Sequence, residues 1–279
     1  ALCSDIDELK IADAVGASAA FPGVFAPFIL QTPKTSCRYG HPQWLRSVLA
    51  AKNPSLRLHA YARALDSYQS NADLGFVRLL DGALTDNLGI TGLTLERAAA
   101  MTPYGPLSPR QAVRLRNFLF IVTDAGVKTQ YKWGMSPVAT RLDKVLLAAS
   151  DTSLASATRS GFDAIDLTLK QWQDELISYR CSLSRSEVLR LRGTLKQWDC
   201  RAVSVTTERI SFREADPDLF DKLNNIPTRL RLPREQVDLL VETAQQTILK
   251  NSGVRMVADE ARKHAPNFDG PTHTLVSRK

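Results

Sequence analysis

The sequence predicts an α/β fold, and three observations carry the prediction. Short apolar runs of strand length end on Asp-Gly or Asp-Ala-Gly turns at residues 76–80 (F-V-R-L-L) and 118–123 (F-L-F-I-V-T). Residues 202–212 alternate Val203, Val205, Thr207 and Ile210 as a further strand. Stretches of helical period lie between and after them, above all residues 135–180 and 234–251. With 279 residues, 44% of them hydrophobic, the chain can bury a sizeable core. Residues 1–265 read as one domain and 266–279 as a polar tail.

In chain order, residues 7–20 have helical spacing at Leu9, Ala12, Val15 and Ala19, and Phe21-Pro22-Gly23 stops that helix. Residues 24–30 read as a strand, 31–40 as a polar loop, and 42–52 and 56–68 as helices. Strand 76–80 delivers Asp81 to a sharp turn at Gly82. Residues 91–101 form a helix and 102–109 a Pro-rich loop. Strand 118–123 then ends on Asp124-Ala125-Gly126 much as the earlier strand ends on Asp81.

The long pattern at 135–180 places Leu142, Val145, Leu146, Ala149, Phe162, Ile165, Leu169, Trp172, Leu176 and Tyr179 on a core-facing stripe, with an interruption near Gly161. Residues 216–228 connect to a helix opened by Pro233. That helix turns Val237, Leu240, Val241, Ala244, Ile248 and Leu249 to one face.

No apolar run reaches the roughly 18 residues needed to cross a bilayer. The N-terminal residues show no Met, no basic region and no apolar region of a signal peptide, so the chain reads as starting within a longer protein. The net charge of +7 favours anionic surfaces, with Arg clustered at 110, 114 and 116 and at 185, 190 and 192. Nucleic acid is disfavoured: there is no zinc-finger spacing, no RNA-binding aromatic motif and no basic stripe with interleaved aromatics. A peripheral contact with anionic lipid headgroups is the expected partner surface.

The four cysteines fall as two pairs, Cys3 with Cys37 and Cys181 with Cys200, and neither pair has metal-ligand spacing. Buried thiols and disulfides are both open readings. A bridge between Cys181 and Cys200 would stabilise by roughly 3 kcal/mol in the chain-entropy model. Disulfides would place the protein in the periplasm, the outer envelope or outside the cell.

A carboxylate at a strand end can face substrate while the sheet holds it rigid. Asp81 and Asp124 are therefore rival catalytic carboxylates, and the plain reading of Asp81-Gly82 is a turn. The four histidines, His41, His59, His264 and His273, show no partnering pattern for a Ser-His-Asp triad.

Residues 12–27 resemble the A-x-x-A-S-x-A-x-P-x-x-F-x-P block of the patatin-like phospholipases, and 80–89 (L-D-G-A-L-T-D-N-L-G) resemble their D-G-G/A turn followed by D-N-x-G. Residues 226–241 (I-P-T-R-L-R-L-P-R-E-Q-V-D-L-L-V) are similar to the end of bacterial members, and Cys3-Ser4-Asp5 to the start of the block in the secreted or lipoprotein subset. The matches cover most of the chain in the family's order.

The resemblance implies a three-layer α/β/α fold in which a Ser-Asp dyad hydrolyses acyl esters of lipids without a cofactor or metal. It carries the base role to Asp81 and the turn-forming role to Gly82, with Ala83 where many members have a second Gly. Asn87, Ser18 and Pro22 would shape the site beside it.

Two family motifs are missing: the G-x-S-x-G nucleophile elbow and the Gly-rich oxyanion segment before it. The nearest approach, Gly16-Ala17-Ser18-Ala19-Ala20, has one Gly of the two and lies on a helical stretch. The expectation is that these residues are the C-terminal part of a longer hydrolase whose N-terminal portion carries the serine. The competing expectation is a non-catalytic chain that binds a lipid surface or a protein.

Overall fold

The computed structural model describes residues 6–22, 25–32, 40–71, 73–126, 131–227 and 231–264. Cys3, Cys37, His273 and the expected tail at 266–279 lie outside them. The chain is mixed α/β, 60% helical, with small sheets of two strands each. It divides into two compact units. Unit 1 comprises Ala1–Arg116 and Lys128–Val203, and unit 2 comprises Asn117–Val127 and Ser204–Lys279.

In unit 1, α1 (Ile11–Ser18) precedes β1 (Phe28–Gln31), then α2 (Gln43–Ala50), α3 (Leu56–Ser70) and β2 (Phe76–Leu79) follow. β1 and β2 pair antiparallel, from Phe28 opposite Leu79 to Gln31 opposite Phe76. β2 is not the fully buried strand its composition suggests: Val77 is buried, but Phe76 and Leu80 are exposed. With one partner strand, it covers only alternate side chains.

The one-turn helix α4 (Ala83–Asp86) leads to α5 (Thr91–Ala99) and α6 (Pro109–Arg114). α6 begins where a loop is expected to end, because Ser108 and Gln111 form a reciprocal capping box around Pro109. α7 (Leu142–Ser182) and α8 (Arg185–Arg192) complete the unit. Ser184 and Glu187 cap α8 in the same way, and Gly193, at φ 88°, ends it in the left-handed conformation.

α7 differs from its sequence pattern in two respects. It runs 41 residues without a break, so Gly161 interrupts nothing. A Cβ at Gly161 would stand 3.2 Å from Ile90 Cδ1, so this glycine serves close packing of the helix against buried Ile90. Only the C-terminal half of the stripe is core. Ile165, Leu169, Trp172 and Leu176 are buried, whereas Leu142, Val145 and Leu146 are exposed.

α4, α5 and α6 pack against this helix. Arg97 of α5 ties the layers together: Nη2 donates to Glu175 Oε2 at 2.6 Å, and the guanidinium lies 5.4 Å from the Trp172 ring centre. Cys181 and Cys200 form a disulfide across a sequence separation of 19. It pins the end of α7 to the segment that follows α8.

In unit 2, β3 (Asn117–Asp124) and β4 (Ser204–Ser211) pair in parallel, with Asn117 opposite Ser204 and Asp124 opposite Ser211. α9 (Pro217–Asn224) occupies the expected connecting segment. Asp216 accepts from the Asp218 N–H and Pro217 fills the first turn, which together start a helix. α10 (Arg234–Lys250) and α11 (Ser252–His264) pack on the strands.

α10 buries a different face from the one its aliphatic residues mark. Thr243 and Thr247 are buried, while Val237, Val241 and Leu249 are exposed. The buried hydroxyls remain satisfied by donating to Leu239 O at 2.8 Å and Thr243 O at 2.9 Å.

Asn251 separates α10 from α11. Its Oδ1 accepts the Val254 N–H at 2.9 Å while its Nδ2 donates to Glu208 Oε2 at 2.9 Å. A Cβ at Gly253 would lie 1.7 Å from Glu208 Oε1. Gly253→Ala is therefore expected to displace Glu208 and cost about 1–2 kcal/mol of stability through the lost hydrogen bond and repacking. In a Glu208→Ala background the same substitution should be neutral or stabilising. Chemical denaturation of the four proteins measures this coupling.

No helix of the described residues is long and apolar enough to cross a membrane.

Candidate functional site

The Asp81 turn is assembled by three local effects. β2 ends at Leu79, and the Asp81 backbone N–H donates to Ala20 O at 3.0 Å. That bond fastens the middle of the 12–27 block to the strand-end turn, joining the two segments singled out in the sequence. The Asp81 side chain then folds back, with Oδ1 accepting the Ala83 N–H at 2.8 Å. Asp81 is half-buried. Its Oδ2 makes no hydrogen bond among the described residues, so one carboxylate oxygen is anchored and the other is open.

Gly82 stands in the turn, its carbonyl accepting the Thr85 N–H at 3.1 Å and the Asp86 N–H at 2.7 Å. It has φ −60° and ψ −25°, ordinary right-handed geometry. A Cβ there would meet only Asp86 O, at 3.8 Å. The turn therefore does not require glycine at this position. The left-handed residue is Gly89, at φ 65°.

Asp86 is the residue that sequence reading passed over. Its Oδ1 accepts from the Ile90 N–H at 3.0 Å and its Oδ2 from the Thr91 N–H at 2.8 Å, so it caps the open end of α5. An Asp a few residues before an amphipathic stretch is the signal that could have found it.

Asn87 is exposed, and its Nδ2 donates to Thr158 Oγ1 of α7 at 3.4 Å. Ser18 is the exposed last residue of α1, and so lies on a helix end and not in a strand-to-helix elbow. Pro22 is exposed and forms an isolated bridge with Phe25.

The rival carboxylate has a different character. Asp124 is buried, and its Oδ2 accepts from Arg209 Nη2 at 2.6 Å and Nε at 3.1 Å. Its Oδ1 accepts the Gly126 N–H at 2.8 Å. Both oxygens hold hydrogen-bond partners and the carboxylate is buried, so Asp124 reads as a structural ion-pair partner.

The histidines are not all without partners: His41 Nε2 lies 2.8 Å from Asp66 Oδ1. Ser70 Oγ donates to the other Asp66 oxygen at 3.3 Å. The serine therefore meets the acid and not the imidazole, and the triad order is absent from this group.

Among the described residues of unit 1 are two shallow surface pockets that do not include Asp81. One is lined by Trp133, Val138, Arg141 and Lys144 among others, and the second by a group of arginines around Trp198. No cluster of three or more His, Cys, Asp or Glu among the described residues could hold a metal ion. The chain matches no protein-family model, no curated protein and no solved structure.

Proposed function

We propose that this chain supplies the base half of a lipid acyl hydrolase of the patatin-like type, with Asp81 as the base. The observation that supports it best is the Asp81 turn itself. A strand-end carboxylate is clipped to the 12–27 block by the Ala20 bond, anchored through Oδ1 and open at Oδ2.

In this reading residues 1–265 are the C-terminal part of one three-layer α/β/α domain, and the nucleophilic serine comes from a portion N-terminal to Ala1. That portion also brings the backbone N–H groups of the oxyanion hole and closes the acyl-binding cavity over the turn. Asn87, Ser18 and Pro22 shape its rim.

The chemistry follows from the open oxygen. Asp81 Oδ2 takes the serine proton as the serine oxygen attacks the ester carbonyl of a phospholipid or another acyl ester. The charge formed on the carbonyl oxygen is held by preorganised N–H donors, each contributing about 3 kcal/mol. The tetrahedral adduct collapses, the bond to the leaving alkoxide breaks, and the Asp81 proton passes to that oxygen. Water, giving its proton to Asp81, then attacks the acyl-serine carbonyl; the adduct collapses, the bond to the serine oxygen breaks, and the Asp81 proton passes to that oxygen, which releases the fatty acid and restores both residues. No cofactor or metal enters these steps.

The Cys181–Cys200 disulfide favours an oxidising site of action in the bacterial envelope or outside the cell. The net positive charge favours peripheral attachment to anionic lipid. The test is fatty-acid release from mixed phosphatidylcholine and phosphatidylglycerol vesicles by the full-length native protein. Release supports the reading. Vesicle binding with no acyl release from any lipid or soluble ester assigns the chain a non-catalytic binding role instead.

A further inference from the structure

We propose that the arginine pocket between the end of α7, the segment after α6 and the loop closed by the Cys181–Cys200 disulfide binds a phosphate-type oxyanion. Its basis is independent of the hydrolase reading.

The pocket gathers four cations, Arg114, Arg116, Arg180 and Arg192, around Trp198 and a single carboxylate, Asp199. Asp199 Oδ1 is turned to the Arg201 N–H at 2.9 Å, and no ion pair joins Asp199 to Arg114, Arg180 or Arg192. Arg180 is 2% exposed. Its Nη1 donates to Ala112 O at 3.4 Å and to Leu115 O, and its Nη2 to Asp199 O at 3.0 Å and Ala202 O at 3.3 Å.

Those four carbonyls satisfy the outer nitrogens, but Arg180 Nε is buried without a hydrogen-bond partner among the described residues. A buried charged donor left unpaired is costly, and negative charge placed in the adjoining pocket would offset that cost through space. Burial, opposed by Asp199 and reinforced by Arg116 and Arg192, pushes the Arg180 guanidinium down to about 10. Added negative charge at this place would relieve that pressure.

Arg180 and Arg192 stand 4.9 Å and 5.9 Å from the Trp198 ring centre, so one indole holds both guanidinium groups beside the pocket. Arg192 commits only Nη1, to Thr194 O at 3.0 Å and Lys196 O at 2.7 Å. Its remaining nitrogens make no hydrogen bond among the described residues.

The space within this shallow pocket is about 10 Å³, room for a single oxygen-sized atom. A tetrahedral oxyanion thus turns one oxygen inward and leaves the others, or a lipid tail esterified to them, in the open mouth. Guanidinium groups suit this ligand because their donors form a planar fork that matches phosphate oxygens.

Free phosphate and a phosphate-bearing lipid headgroup share this chemistry, and the experiment separates them. Inorganic phosphate is titrated calorimetrically into the full-length native protein at constant ionic strength, and vesicles of phosphatidylcholine with and without phosphatidic acid are tested in parallel. Saturable binding of either is expected. It should weaken about tenfold in Arg116→Gln or Arg192→Gln, the share of one charge-assisted hydrogen bond, with little change in the equally charged control Arg110→Gln.

Phosphate should also protect Arg116 and Arg192 from phenylglyoxal in the unmutated protein, read by mass spectrometry, a measurement that no folding defect can obscure. Binding of phosphatidic acid vesicles without free phosphate identifies a lipid headgroup as the ligand and supports the site. Absence of both, or an equal loss in Arg110→Gln with no protection of Arg116 and Arg192, overturns it.

Discussion

Asp81→Asn is expected to lower kcat for acyl-ester hydrolysis by the full-length native protein about 10²–10⁴-fold, the range for removal of a positioned general base. The substitution isolates the chemistry because Asn keeps an oxygen to accept the Ala83 N–H, the bond that anchors the turn. Stability should therefore change by less than about 1 kcal/mol, as for a surface position whose hydrogen bond is retained. KM should change little, since in the proposed role the open Oδ2 would act on the nucleophile's proton and not on substrate binding. Asp81→Ala should show the same kinetic loss with a further stability loss of about 1 kcal/mol, because the Ala83 N–H loses its acceptor.

Asp124→Ala is expected to show the opposite division: a stability loss of about 2–3 kcal/mol with turnover nearly intact at temperatures where the protein is folded. Asp124 is 7% exposed at its side chain and Arg209 40%, so the arginine left behind recovers part of its hydration and the cost falls toward the low end for a broken buried pair. Arg209→Ala should be comparably destabilising, and the double substitution should cost less than the sum of the two, since each removes the same pair. Urea denaturation followed by circular dichroism measures all four proteins. Equal losses of kcat from Asp81→Asn and Asp124→Ala, at retained folding, would argue against assigning the base role to Asp81.

These two aspartates mark the reach of the sequence. Both end apolar runs on similar turns, and nothing local distinguishes them. The distinction comes from Arg209, which lies 85 positions along the chain from Asp124 and is brought to it by the parallel pairing of β3 and β4. Long-range pairing of this kind has no periodic signature.

Local periodicity did identify β2, β3, β4, α3, α5 and α10 close to their observed bounds, because an alternating or 3.6-residue pattern records how a segment is covered. It missed α6, α9 and α11, short or closely abutting helices whose starts depend on side-chain caps at Ser108, Asp216 and Asn251. It also overextended the core stripe of α7, since apolar spacing records the potential for burial and not the presence of a covering layer. At the site, the strand-end position of Asp81 was legible. The Ala20 bond that joins it to the 12–27 block and the capping role of Asp86 were not.

The proposed base role meets its most direct test in fluorophosphonate labelling of the full-length native protein and of Asp81→Asn, with the labelled residue identified by mass spectrometry. The expected result is a single serine N-terminal to Ala1, labelled rapidly in the native protein and much more slowly in Asp81→Asn. Labelling of no serine, or of a serine at the same rate in both proteins, would contradict it.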